Sequence, residues 1–138
     1  MTASLVQFLR DRLDERQAAA SAAGGASGSW TALGTGVYST ATVNDDVPPI
    51  VTTGPEAGGS DEDVARAEHI ALHDPERTLR GVQAQYATVD EYDIALWAQV
   101  DDDQAAYWQG HRDTLRAACL RLATAYSDHP DYQQEWQP

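Results

Sequence analysis

Leu5, Phe8, Leu9 and Leu13 recur at three- and four-residue spacing, with Asp11, Asp14 and Glu15 mostly on the other side, so the chain opens as an amphipathic helix with one narrow apolar stripe. The spacing predicts a helix over residues 1–23, closed by Gly24, Gly25 and Gly28. Over residues 30–53 the period changes to two: Val37, Ser39, Ala41 and Val43 alternate with Tyr38, Thr40 and Thr42. Asn44-Asp45-Asp46 reads as the turn, and Val47 with Ile50-Val51-Thr52 as the return strand. Pro48 and Pro49 have no N–H to donate, so that strand is short or at an edge. A lone hairpin is marginal in water, so it must lie on the helices, with Trp30 as its anchor. Helical spacing resumes after Ser60 or Asp61 as cap and reaches His73. Asp74-Pro75 stops this helix and starts the next, Asp as N-cap and Pro at the first helical position. Leu79, Val82, Tyr86, Val89 and Leu96 form the third stripe. Asp101-Asp102-Asp103 breaks it, Asp103 caps a fourth helix, and Trp108, Leu115, Cys119, Leu122 and Tyr126 point inward until Pro130 ends the element. The fold class is therefore α+β, mainly α: four helices with a small β-hairpin between helix one and helix two. The 138 residues suit one domain with a modest core: the hairpin region at 30–53, a helical core at 61–127 and a C-terminal tail at 128–138 packing on it.

Charge narrows the function classes. Twenty-two acids face nine bases, every base an arginine, for a net charge of −13. A phosphate-backbone binder needs a basic surface, so direct nucleic-acid binding is not expected. A basic protein partner, or mimicry of nucleic acid by carboxylates, remains open. No apolar run reaches the roughly 18 residues that cross a bilayer, and no basic segment precedes an apolar one at the start, so neither a membrane partner nor a leader is expected and the location reads as cytoplasmic. The single cysteine, Cys119, excludes an internal disulfide and a Cys-rich zinc knuckle; beside Leu115, Ala118 and Leu122 it reads as a small core residue.

Candidate chemistry gathers at the histidines. His69 and His73 stand one helical turn apart and leave the same face, a spacing that suits two ligands of one divalent ion. Asp74, Asp128 and His129, with Asp131, are the residue types that would complete the set. Ile70 follows His69, so the general base of His-Glu-x-x-His is absent. The plainer account makes His73 a helix-terminal residue favoured by the dipole and His69 a partly buried hydrogen-bonder. Asp128-His129-Pro130-Asp131-Tyr132 would offer a carboxylate-oriented imidazole, but no Ser or Cys accompanies it in a nucleophile's context. Its plainer account is a capping tail, with Tyr132 and Trp136 lying back on the helices. The same two aromatics are the candidate interface of a homodimer. Asp90-Glu91-Tyr92-Asp93 and Asp101-Asp102-Asp103 do not follow the calcium-loop pattern and read as a solvated acidic face. Gly34-x-Gly36 is too short for a phosphate loop.

Three stretches carry a resemblance: Leu5-Val6-x-Phe8-Leu9-x-x-Arg12-Leu13-Asp14-Glu15, His69-Ile70-Ala71-x-His73-Asp74-Pro75-x-Arg77-x-Leu79-Arg80, and the ending from Leu120-Arg121-Leu122-Ala123 to Tyr126-x-Asp128-His129-Pro130-Asp131-Tyr132-x-x-Glu135-Trp136-x-Pro138. Together they resemble a family of small actinobacterial and actinophage proteins that carries only a domain-of-unknown-function label. The resemblance implies a Trp and a short hairpin between helices one and two, and implies no activity. Gln133 and Gln137 stand where the family pattern is basic, and residues 90–109 match nothing in it.

The expectation is an acidic accessory or regulatory protein that acts by protein–protein interaction, without a required cofactor and with no complete catalytic signature. The alternative is a metal-dependent hydrolase using His69, His73, His129 and Asp128, for which a divalent metal is the cofactor. A second alternative is an acidic inhibitor mimicking nucleic acid.

Overall fold

A computed structural model describes residues 4–24, 28–43 and 46–137. The elements run α1 (Leu5–Gly24), β1 (Trp30–Leu33), β2 (Gly36–Ser39), β3 (Val51–Thr52), α2 (Asp61–Leu72), α3 (Pro75–Trp97) and α4 (Ala105–Thr124), with short 3-10 turns at Asp102–Gln104 and Gln134–Trp136. The described residues are thus mainly α, four helices with a small antiparallel sheet between the first and second, the class and order that the hydrophobic pattern predicts.

Among the described residues the sheet has three strands in the order β1-β2-β3, one more than the predicted hairpin. β1 pairs with β2 in the register Trp30↔Ser39 to Leu33↔Gly36, around a turn at Gly34 and Thr35. Gly34 sits at φ +58, the left-handed region that a two-residue hairpin loop demands and that glycine enters without a Cβ penalty. The glycine pair that is too short to cradle a phosphate is therefore a turn signal. The strand expected to run on to Val43 ends at Ser39, where Thr42 N–H bonds back to Ser39 C=O at 3.1 Å. β3 pairs with β2 through Gly36↔Thr52 and Val37↔Val51. The turn expected at Asn44-Asp45-Asp46 lies mostly outside the described residues.

Two compact units are distinguished, Arg16–Gly81 and Met1–Glu15 with Val82–Pro138. In the first, the sheet lies on α2. Val37 and Ala67 are fully buried, Ala71 nearly so, and Trp30, Ala32 and Ile70 pack around them. Thr53 ties sheet to helix: its hydroxyl donates to Asp63 C=O at 2.5 Å while its N–H donates to Thr35 C=O at 2.9 Å. Ser60 caps α2 in a capping box with Asp63. Asp74, only 3% exposed, caps α3 by accepting from Arg77 N–H at 2.6 Å, and Pro75 follows at the position where a missing N–H costs nothing.

The second unit holds the larger core. Phe8, Leu9 and Leu13 of α1 meet Val82, Val89, Tyr92 and Ala95 of α3 and Leu115, Cys119 and Ala123 of α4. The α3 stripe therefore continues through Tyr92 and Ala95, and Leu96, predicted inward, is 42% exposed. Asp103 does not cap α4: the 3-10 turn at Asp102–Gln104 precedes it, with Gln104 at the cap. α4 ends at Thr124, ahead of Pro130, and a run of turns carries the chain to Trp136, which is 3% exposed against Phe8 at 4.9 Å between ring centroids. Burying such aromatics removes the largest apolar areas in the unit from water.

Candidate functional site

His69, His73 and Asp74 belong to one unit, Asp128 and His129 to the other. The α2 geometry brings the first two together. Their ring centroids are 4.5 Å apart at 44°, and both residues are exposed. His73 Nδ1 lies 2.8 Å from His69 C=O. A carbonyl only accepts, so Nδ1 carries a proton, and in the neutral ring Nε2 is the nitrogen with the lone pair. Asp74 is turned away from this chemistry, its carboxylate taken by the α3 cap and by Arg77 at 3.7 Å. Among the described residues no three His, Cys, Asp or Glu side chains are grouped to hold a metal ion. His69 also lines a groove of about 550 Å³ between β3 and α2, with Val51, Thr52, Thr53, Glu62, Arg66 and Ile70. The groove is apolar along β3 and Ile70. Its charges are largely matched, since Arg66 bridges Glu62 at 2.5 Å and Asp63 at 3.0 Å.

The tail residues are held within their own unit. His129 Nδ1 faces Arg12 Nη1 at 2.9 Å and Asp131 N–H at 3.1 Å, and the imidazole meets the Phe8 ring edge-on at 5.7 Å. Tyr132 meets Phe8 at 6.1 Å and Trp136 at 5.8 Å. Asp128 is exposed. Burial pushes the Cys119 thiol up to about 11, which keeps it a protonated core residue at neutral pH.

A surface that the hydrophobic pattern does not single out lies where α3 ends. Ile94 is 69% exposed and Trp97 80% exposed. They stand three residues apart and so share a helix face. Glu91 precedes Ile94 in that row and pairs with His111 of α4 at 3.7 Å; Tyr107, 72% exposed, stacks parallel to His111 at 6.3 Å. Arg112 fastens the two helix ends by donating to Ala95 C=O at 2.6 Å and Ala98 C=O at 3.0 Å. On the other flank Leu96 and Trp97 border a cleft of about 330 Å³ against the first turns of α1. The available signal was Tyr92: once it extends the stripe, Ile94 and Trp97 fall outside it.

Acids rim this surface. Asp93 accepts from the Trp97 indole at 3.2 Å, and Asp90, Glu91, Asp101, Asp102, Asp103 and Asp113 stand on the same ends of α3 and α4. Of the bases nearby, Arg10 bridges Asp90 at 2.7 Å and Asp93 at 2.9 Å, which raises its pKa, chiefly through Asp90, Arg112 holds carbonyls, and Arg116 reaches Tyr92. Among the described residues no helix is long and apolar enough to cross a membrane.

Residues 2–138 match the model of a family of unknown function, DUF6221. Comparison with curated proteins and with solved structures returns no match. The chain belongs to the DUF6221 family.

Proposed function

We propose that the protein is an acidic accessory or regulatory protein that acts by binding another protein, and that the surface of Ile94, Trp97 and Tyr107 is where it does so. The observation that carries this reading is the exposure of Trp97, an indole 80% open to solvent beside an isoleucine 69% open. Clustered large apolar side chains rimmed by polar ones mark interaction sites, and Trp and Tyr dominate the energetic centres of interfaces. The partner's chemistry follows from the rim. A second copy of this chain would bring another −13 and another set of carboxylates to the contact. A partner presenting apolar anchors among arginines or lysines meets complementary charge instead. We therefore assign the surface to a basic amphipathic helix of a different protein, laid along the ends of α3 and α4.

The test uses two synthetic cationic peptides of equal charge, one amphipathic with leucines on one face, the other with those leucines replaced by serine. Calorimetric titration is expected to show salt-sensitive binding of the first peptide, little of the second, and loss of binding in Trp97→Ser. Equal binding of both peptides, or unchanged binding by Trp97→Ser, overturns the assignment. So does sedimentation showing a dimer that Trp97→Ser dissociates.

A further inference from the structure

We infer that His69 and His73 form a surface site for one divalent transition-metal ion, bound through two imidazole nitrogens with its other positions open to water or to a ligand's carboxylate. The site lies in the Arg16–Gly81 unit and stands independently of the docking surface proposed above.

Four observations carry it. The two rings lie 4.5 Å apart between centroids on one face of α2, close enough to serve a common ion. The Nδ1 proton of His73 is held by His69 C=O at 2.8 Å. Such a hydrogen bond fixes the tautomer and ring orientation of a metal-ligating histidine and leaves Nε2 to coordinate. Among the described residues neither ring has a carboxylate partner, whereas His111 faces Glu91 at 3.7 Å and His129 faces Asp131 at 3.9 Å and Arg12 at 2.9 Å. Lastly, both histidines lie at the C-terminal end of α2, where the helix dipole favours positive charge.

The donor set defines the cation. Imidazole suits Cu²⁺, Ni²⁺ and Zn²⁺, with Cu²⁺ tightest, while Mg²⁺ and Ca²⁺ require oxygen ligands. Among the described residues no third His, Cys, Asp or Glu closes around the pair, so the ion keeps exchangeable positions, and His69 also lines the neighbouring groove. An ion of this kind would accept a carboxylate or imidazole from a molecule seated against β3 and α2.

The experiment is a titration of the metal-free full chain with CuCl₂ and, separately, ZnCl₂, read by equilibrium dialysis and by the imidazole NMR signals of all four histidines. The expected result is saturation at one ion per chain. Substoichiometric Cu²⁺ should broaden His69 and His73 ahead of His111 and His129, and MgCl₂ should change nothing. His69→Ala and His73→Ala should each weaken binding about tenfold or more, because the second imidazole then no longer adds its intramolecular contribution. His111→Ala should bind as the native chain does. Both site residues are exposed, so circular dichroism is expected to show unchanged helix content in these variants. Parallel broadening of all four histidines, or native affinity in either single variant, overturns the site.

Discussion

Arg12 and His129, 117 positions apart in the chain, meet through the guanidinium Nη1, which faces both imidazole nitrogens, Nε2 the nearer. Arg12 is 8% exposed, its guanidinium lies 5.4 Å from the Phe8 ring centroid, and its Nη2 holds Glu15 at 2.7 Å. One side chain thus joins the first helix to the tail by charge-assisted hydrogen bonding and by packing. Arg12→Ala is expected to destabilise by about 2 kcal/mol, since a largely buried charged donor is removed and its acceptors are left behind. Arg12→Lys should restore little, because an ammonium has no planar fork to reach His129 and Glu15 together. Urea denaturation of Arg12→Ala, His129→Ala and the double variant tests this; a coupling near zero would show that the contact adds nothing beyond each residue's own packing.

The Tyr86 hydroxyl donates to Asp14, and its pKa is pushed up to about 12, first by desolvation and then by the Asp14 hydrogen bond. The folded-state pKa thus lies above the ordinary value of 10.0. Stability from this group is complete below that ordinary value and is lost as pH rises through the folded one, because the unfolded chain releases the proton more readily. Thermal melts should therefore fall as pH rises from about 10 toward 12, and Tyr86→Phe should flatten that decline. Unchanged alkaline sensitivity in Tyr86→Phe would assign the decline to other groups.

The helices and their order were legible because their apolar positions keep helical spacing for several turns: Leu5 to Leu13 and Leu115 to Leu122 bury as the spacing requires. The sheet was legible in class but not in register. Its true turn at Gly34 was hidden because a two-residue loop offers only one obligatory glycine, while Asn44-Asp45-Asp46 offers a stronger compositional signal. The end of α3 was misread for a related reason. Tyr92 lies among Asp90, Glu91 and Asp93, and its 7% exposure depends on α1 and α4 closing over it, contacts that no local pattern encodes. With Tyr92 left out of the core, the exposure of Ile94 and Trp97 could not be read. The His69 and His73 pairing was legible from spacing alone; the hydrogen bond that orients His73 was not.

Ser60 and Asp74 cap successive helices with different burial. Asp74 is 3% exposed and Ser60 is exposed. Ser60→Ala should cost about 1 kcal/mol and Asp74→Ala up to about 2 kcal/mol, with Asp74→Asn milder because it keeps an acceptor. Hydrogen bonding from the Ser60 backbone N–H, then from its hydroxyl, lowers the Asp63 pKa below its ordinary 3.8. The stability tied to that carboxylate is therefore present above the ordinary value and lost as pH falls through the lowered one. Acid melts should show a weaker decline in Ser60→Ala than in the native chain; an identical decline would separate Asp63 from the cap.

Trp97 and Trp136 belong to the same unit yet stand at opposite extremes, 80% and 3% exposed. Trp136 packs on Phe8, and Trp136→Ala should cost about 3–5 kcal/mol through lost burial and the cavity left behind. Trp97 contributes one exposed hydrogen bond to Asp93 at 3.2 Å, and Trp97→Ser should change stability by no more than about 0.5 kcal/mol. An indole that stability is not expected to require, bonded to the Asp93 carboxylate, adds exposed apolar surface that folding alone leaves unexplained. Chemical denaturation of both variants beside the peptide titration separates the roles: Trp136→Ala should lower the midpoint while Trp97→Ser lowers binding alone. A large midpoint shift in Trp97→Ser would make that residue part of the fold and remove the main support for the docking surface.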